Sequence, residues 1–280
     1  MSKNSSLGFG LGLRSEYYHQ ILELRPSVDW FEIISENYMV GGGKALYFLD
    51  AIKEQYPLVM HGVSLSIGGP RSIDIDYLRQ LKQLAERVQP RWISDHLCWS
   101  RGNAHHLHDL LPLPFTQESL LHVAARVRLV QDVIERPLVL ENVSAYVQWA
   151  DSSMSEAAFL AELSYLTGCE LLLDINNVYV SSRNQGFDAW QFIQELPQAR
   201  IRQIHLAGHS DYGHYLIDTH DHPVADPVWG LYERVIGYLG PRATLIERDD
   251  CFPPFEELLA ELEKARGIAA GRLREDASCA

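Results

Sequence analysis

Short apolar runs alternate along the chain with longer stretches in which apolar positions recur every three or four residues, the pattern of βα units feeding a parallel sheet. This pattern predicts strands at Leu7–Leu13, Asp29–Ile34, Pro57–Gly62, Arg91–Leu97, Leu138–Val143, Glu170–Ile175, Ile201–Leu206 and Ala243–Arg248. The clearest helix is Asp74–Val88, where Ile75, Leu78, Leu81, Ala85 and Val88 make one face and Arg79, Lys82 and Glu86 the other. Thr116–Glu135 and Phe255–Ala265 have the same period. Thr116 follows LPLP, whose prolines cannot continue a helix, and is a suitable N-cap.

Eight βα repeats in 280 residues, with no low-complexity linker, predict a single-domain (β/α)8 TIM barrel spanning about 7–265, with a C-terminal tail at 266–280. A doubly wound open sheet is the competing architecture, because periodicity alone does not separate the two. Gly8, Gly10 and Gly12 alternate on the first strand but lack the final glycine of a dinucleotide loop, so close packing on one face of a barrel explains them better. Gly41-Gly42-Gly43-Lys44 lacks the spacing of a phosphate loop and reads as a flexible loop and helix entry.

Composition narrows the function. Hydrophobic residues make up 46% and charged residues 22%, enough for a packed core and without a disorder signature. With 37 Asp and Glu against 24 Lys and Arg, the net charge of −13 argues against nucleic-acid and anionic-membrane partners. Cys98, Cys169, Cys251 and Cys279 form no C-x-x-C pair, so neither a disulfide framework nor a thiolate zinc site is expected. The opening MSKNSSLGFGLGL has no basic segment followed by an apolar one, and no apolar run reaches the roughly 18 residues of a membrane span, so a cytoplasmic protein is expected.

What stands out is where the 12 histidines and the acids fall. The second strand carries Glu32 and is followed by Glu36 and Asn37; the third ends in His61 and the fourth in Asp95-His96. The fifth ends in Glu141-Asn142, the sixth in Asp174 with Asn177 three residues on, the seventh in His205 with His209, the eighth in Glu247. In a barrel these C-terminal ends converge on the face where active sites are built. Buried carboxylates must be compensated, lysine and arginine are scarce there, and several metal cations would do it. The imidazole, carboxylate and amide mixture suits iron, zinc or manganese. A D-x-H pair, Asp218 and His220, lies in the loop after the seventh strand.

Each residue has a plainer reading. A lone strand-end His or Asp commonly caps a helix or pairs with a charge, and Asn142 and Asn177 could merely cap βα turns. His105, His106 and His108 read by default as a solvated loop, and Cys98 as a small buried apolar residue. It is the joint occurrence of His61, Glu141, Asp174, His205 and Glu247 that favours a metal or catalytic role.

The ordered series FEIISENYM, HGVSLSIGG, ISDHLCW, HDLLPLPFT, LENVSAY, LLLDINNVYVS, IHLAGH, DTHDHPV and LIERDD resembles the multinuclear non-heme iron-dependent oxidative enzymes, the family of the methanobactin biosynthesis oxidase, from Gly8 to about Asp250. The resemblance implies a TIM barrel holding two or three iron ions in mixed valence. It also implies dioxygen as co-substrate, a cysteine-containing ribosomally made precursor peptide as substrate, and a small partner protein that presents the peptide. It assigns His61, His96 and Glu141 to one iron, with Glu141 able to bridge; Asp174, His205 and Glu247 to the next; and Asn177, Asp218 and His220 to a third. Asp174, Glu141 and His205 would be catalytic. Glu32, Glu36, Asn37, Asp95, Asn142 and Asp109 would flank the metals or position the peptide. The rival expectations are a metal-dependent hydrolase or isomerase of the xylose-isomerase-like or endonuclease-IV-like barrel type, and a non-catalytic metal-storage or peptide-binding module.

Overall fold

The computed structural model describes residues 6–101 and 106–278. Its strands, in chain order, are β1 (Phe9–Gly12), β2 (Trp30–Ile34), β3 (Leu58–Gly62), β4 (Ile93–His96), β5 (Trp99–Arg101), β6 (His106–Leu111), β7 (Leu138–Glu141), β8 (Glu170–Asp174), β9 (Ile201–Leu206), β10 (Ser210–Asp211), β11 (Leu216–Ile217) and β12 (Ala243–Ile246). Eight of them, at the eight predicted places, close a parallel barrel in the order β1-β2-β3-β4-β7-β8-β9-β12, so the open sheet is excluded. The closure is the β1–β12 pairing, Phe9 beside Thr244 and Leu11 beside Ile246.

The helices are α1 (Tyr18–Leu24), α2 (Lys44–Lys53), α3 (Ile75–Val88), α4 (Gln117–Ile134), α5 (Glu156–Thr167), α6 (Ile175–Gln185), α7 (Ala189–Glu195), α8 (Asp226–Leu239) and α9 (Phe255–Ser278). Asp74 caps α3 by accepting from the amides of Asp76 and Tyr77, and Thr116 caps α4 by accepting from Ser119. The last helix runs past the predicted Ala265 to Ser278, so the expected tail is helical through that residue. No helix among the described residues is long and apolar enough to cross a membrane.

Two elements were not anticipated, the antiparallel hairpins β5–β6 and β10–β11, which sit in the loops after β4 and β9. His106 and His108 therefore belong to a strand, correcting the loop reading, while His105 lies outside the described residues.

The main core lies between barrel and helices, and a second one fills the barrel itself with Trp30, Val59, Trp92, Val139, Leu172, Ala243 and Leu245. Trp30 and Trp92 meet edge to face, centroids 5.8 Å apart. Gly10 makes room for them, since a Cβ there would sit 2.4 Å from the Trp30 ring. As a strand turns its side chains to the same face every second residue, the next inward layer is set by sequence: Glu32, His61, Ser94, Glu141, Asp174, His205 and Glu247 each stand two residues beyond an interior residue of the layer below. Two residues is a rise of about 6.6 Å, so a polar layer lies directly on an apolar one.

Candidate metal centre

The polar layer forms the floor of a cavity of about 610 Å³, lined by His61, His96, Glu141, Asn177, His220 and Glu247 among others. His61 Nε2 and His96 Nε2 are 3.3 Å apart, and each is 3.4 Å from Glu141 Oε2. A point equidistant from the three lies about 1.9 Å from each, close to the ~2.0–2.1 Å of a metal–imidazole bond. Glu141 also belongs to a second buried group with Asp174, His205 and Glu247, in which His205 Nδ1 lies 2.9 Å from Glu247 Oε2 and 3.8 Å from Glu141 Oε1. Beyond it, His220 Nε2 is 2.6 Å from Asp218 Oδ1, and His220 Nδ1 is 3.6 Å from Glu247 Oε2. Asn177, expected with that last pair, instead contacts Glu141 and Asn142.

In each of the four imidazoles the protein holds one ring nitrogen and leaves the other facing the cavity acids. His61 Nδ1 donates to Ser94 Oγ at 2.8 Å, and the Ser94 hydroxyl donates on to Met60 O. His96 Nδ1 donates to Gly62 O at 3.1 Å, and His220 Nδ1 to Asp249 Oδ2 at 3.0 Å. His205 Nε2 is enclosed by Glu32 Oε1 at 3.1 Å and by the Gln203 side chain, so Nδ1 faces Glu247. Such outer partners fix the tautomer and ring orientation of metal-binding histidines. The carboxyl and amide groups leave matching atoms: Glu141 Oε2, Asp174 Oδ2 and Asn177 Oδ1 are buried without a hydrogen-bond partner, while Glu247 Oε2 and His205 Nδ1 meet each other, and His220 Nε2 meets Asp218, as ion pairs out of line for a hydrogen bond. Such atoms would be costly in a finished hydrogen-bond network. They fit metal cations, and the nitrogen and oxygen donors suit iron, zinc or manganese.

The electrostatics show the same deficit of positive charge. Burial pushes the Asp174 carboxyl up to about 7 and the Glu141 carboxyl well above the usual range, with neighbouring carboxylates adding to both. Burial opposes the His205 imidazolium, yet Glu32, Glu247 and Glu141 outweigh it and hold the pKa well above its ordinary value. Burial also opposes ionisation of Glu247, but His205 and His220 outweigh it and keep that carboxyl well below. Desolvation alone leads for His61 and His96, whose pKa values are lowered. Protons and metal cations are thus alternative sources of the charge this layer requires.

The remaining predicted residues divide. Glu32 orients His205 and accepts from Gln203 Nε2 at 2.7 Å; Trp92 donates to the same amide, which ties the polar layer to the apolar one. Asn142 uses both ends of its amide on the backbone of Asp174, clamping β7 to β8. Asp174 caps α6 through the Asn177 amide at 2.6 Å, which aims its other oxygen inward. Glu36 accepts from Val63 N and the Tyr77 hydroxyl, and Asp95 from Leu65 N and His96 N, so both brace the chain around His61 and His96. Asp109 is exposed on β6 at the cavity wall; Asn37 is exposed and does not line the cavity. His209 donates to Asn176, which donates to Asp218.

Sequence reading missed Ser94, Gln203 and Asp249. The signal for Asp249 was its place two residues after Glu247, the spacing that returns a chain to the same face. It also missed the strain at His220, whose φ of 50° is left-handed and costs about 1–3 kcal/mol. That backbone is held by His220 N to Gly208 O and Asp249 N to His220 O. Only glycine permits the approach at 208, where a Cβ would lie 2.1 Å from His222 O. Cys98 is buried, as expected.

A family profile described as RiPP precursor modification enzyme MbnB/TglH/ChrH matches residues 8–270. The chain is 55% identical to a UPF0276 protein of Caulobacter vibrioides over 267 residues, 95% of each chain, and 49% identical to one of Rhizorhabdus wittichii over 279 residues, 99% of this chain and 100% of that one. Among solved structures it resembles an L-ribulose 3-epimerase (TM-score 0.65, 14% identity, 97% of both chains) and the endonuclease IV of Thermus thermophilus (TM-score 0.60, 15% identity, 96% of this chain and 99% of that one). At such identities these two share the fold and lend no chemistry.

Proposed function

We infer that this chain, which belongs to the MbnB/TglH/ChrH family of RiPP precursor modification enzymes, carries a multinuclear iron centre in its barrel mouth and uses dioxygen to oxidise cysteine residues of a ribosomally made precursor peptide. The observation that carries this reading is the set of four imidazoles, each held at one nitrogen, facing the oxygens of Glu141, Asp174, Asn177 and Glu247. His61, His96 and Glu141 would hold one ion and Asp174, His205 and Glu247 a second, with Glu141 shared. Asp218 and His220, with Asn177 nearby, would serve a third. Two or three bound irons in mixed valence would supply the electron transfer to dioxygen and the Lewis acidity that lowers the pKa of a substrate thiol.

The chain's own work is to bind and orient. Ile34, Val63, Leu107, Leu110 and Val143 supply the apolar part of the cavity lining, against which a substrate side chain can pack. Tyr146 accepts from the Asp218 amide and the Ser144 hydroxyl donates to Asp218 Oδ2, which fixes that carboxylate. A volume of about 610 Å³ falls in the range of pockets that enclose a ligand, and here would admit a short extended stretch of peptide. A small presenting partner protein and a cytoplasmic setting belong to the same reading.

The test is to search the neighbouring genes for one encoding a short cysteine-containing peptide, to combine that peptide and any small protein encoded with it with the iron-loaded enzyme, and to follow peptide mass and dioxygen. Dioxygen uptake coupled to a mass loss at cysteine is expected. An unchanged peptide with no dioxygen consumed would contradict the reading.

A further inference from the structure

A second cavity, about 720 Å³, is larger than the metal cavity and shares a wall with it. Along the segment after β7, Val143, Ser144 and Tyr146 line the metal cavity, while Ala145, Val147 and Trp149 line the second one. Further along the chain from β6 the same division holds: Leu107 and Leu110 line the first and Pro112 and Leu113 the second. The two segments are pinned together at one atom, because Trp99 Nε1 and Trp149 Nε1 both donate to Pro112 O, at 3.1 and 2.9 Å.

The second cavity is an apolar groove with an acidic lining. Phe115, Met154, Phe187 and Phe192 supply apolar surface, the charged lining residues are Glu156, Asp188 and Glu195, and no lysine or arginine lines it. Asp188 is committed to capping α7, and Glu195 accepts from Ser155 and Gln191. Glu156, half-buried, has no partner among the described residues, and burial pushes its carboxyl up to about 8. A partly buried carboxyl without a cation partner, in an apolar groove whose charged lining residues are all acidic, fits a ligand that brings a positive charge and aliphatic or aromatic side chains.

We propose that this groove binds a segment of the precursor peptide outside the one entering the metal cavity, and that it selects a basic residue flanked by apolar ones, with Glu156 as the partner of the cation. The identity of the occupant rests on the peptide-modifying function above; the chemistry it must have rests on the groove alone. The shared wall explains why one peptide could occupy both cavities. A second copy of this chain fits poorly, since a net charge of −13 opposes docking into an acidic groove.

The experiment uses metal-loaded protein and two fluorescein-labelled probes free of cysteine, one alternating Leu and Lys and the other Leu and Glu, read by anisotropy. The Lys probe is expected to bind at least about tenfold more tightly. Val147→Arg, at a side chain 54% exposed, adds bulk and positive charge and is expected to weaken the Lys probe at least about tenfold with metal content unchanged. Glu156→Gln is expected to weaken it severalfold and to abolish the rise in affinity as pH passes upward through about 8. The precursor with its cysteines replaced by serine should displace the Lys probe from the unaltered protein. Equal affinity for the two probes, indifference to Val147→Arg, failure of the precursor to compete, or a dimer that Val147→Arg dissociates would each overturn the proposal. None of these readings involves oxidation, so an inactive oxidase and an empty groove are distinguishable failures.

Discussion

Two layers of the barrel interior lie about 6.6 Å apart on the same strands and obey opposite rules. Trp30, Val59, Val139, Leu172 and Leu245 sit in the lower one; Glu32, His61, Glu141, Asp174 and Glu247, two residues further along each strand, sit in the upper. Below, the apolar side chains gain by leaving water and by dispersion contact with their neighbours, and the polar member, Gln203, is hydrogen-bonded to Trp92 and Glu32. Above, burial works against each ionised carboxylate; Glu141 Oε2 and Asp174 Oδ2 are left without a hydrogen-bond partner, and Glu247 Oε2 faces His205 Nδ1 as an ion pair. Apart from the Trp30 indole nitrogen, which is also buried without a hydrogen-bond partner, the lower layer is complete as folded, whereas the upper one is built for something to be bound.

That contrast can be tested from either side. The largest effect is expected from Glu141→Gln, which keeps shape but removes the charge shared by the first two groups: activity on the precursor should fall roughly a thousandfold or more, with loss of at least one ion and an unchanged circular dichroism spectrum. Leu172→Ala, one step below Asp174, should do the reverse, costing about 2–5 kcal/mol of stability in denaturant melts while ions per chain stay constant. Glu32→Gln weakens the hold on His205 Nε2 and on the Gln203 amide beside it, so metal affinity should drop about 10–100-fold in competition with a chelator.

The smallest effect concerns pH. In the metal-free protein the Asp174 carboxyl, raised to about 7 by burial, is protonated below that value, and the proton must leave before the oxygen can bind a cation. Apparent affinity for ferrous ion should therefore fall about tenfold per pH unit as pH drops below about 7, and level off above it. Affinity independent of pH between 5 and 8 would remove Asp174 from the ligand set.

Much of the coarse picture was legible in the sequence, because it is local. Periodicity placed the eight barrel strands, and strand-end residues such as His61, Glu141 and Glu247 reach one cavity because parallel strands share a direction. What escaped is non-local. Closure rests on Phe9 pairing with Thr244, a register no window of sequence contains. The hairpin holding His106 pairs a strand of three residues with one, HLHDLL, that does not alternate throughout. Asn142 could be read as a turn cap or a ligand until the backbone of Asp174, far along the chain, proved to occupy both ends of its amide. Ser94 and Asp249 matter only through the histidines they orient, a relation that appears once the rings have positions.

The most direct test of the account is the metal content of the chain, expressed in iron-replete cells, purified without oxygen and measured by elemental analysis. Two to three ions per chain, and fewer in Glu141→Gln, are what the upper layer predicts, and predominance of iron is what the proposed function predicts. A monodisperse, fully folded protein that binds no metal under those conditions, or after incubation with ferrous, zinc or manganous ions, would contradict it.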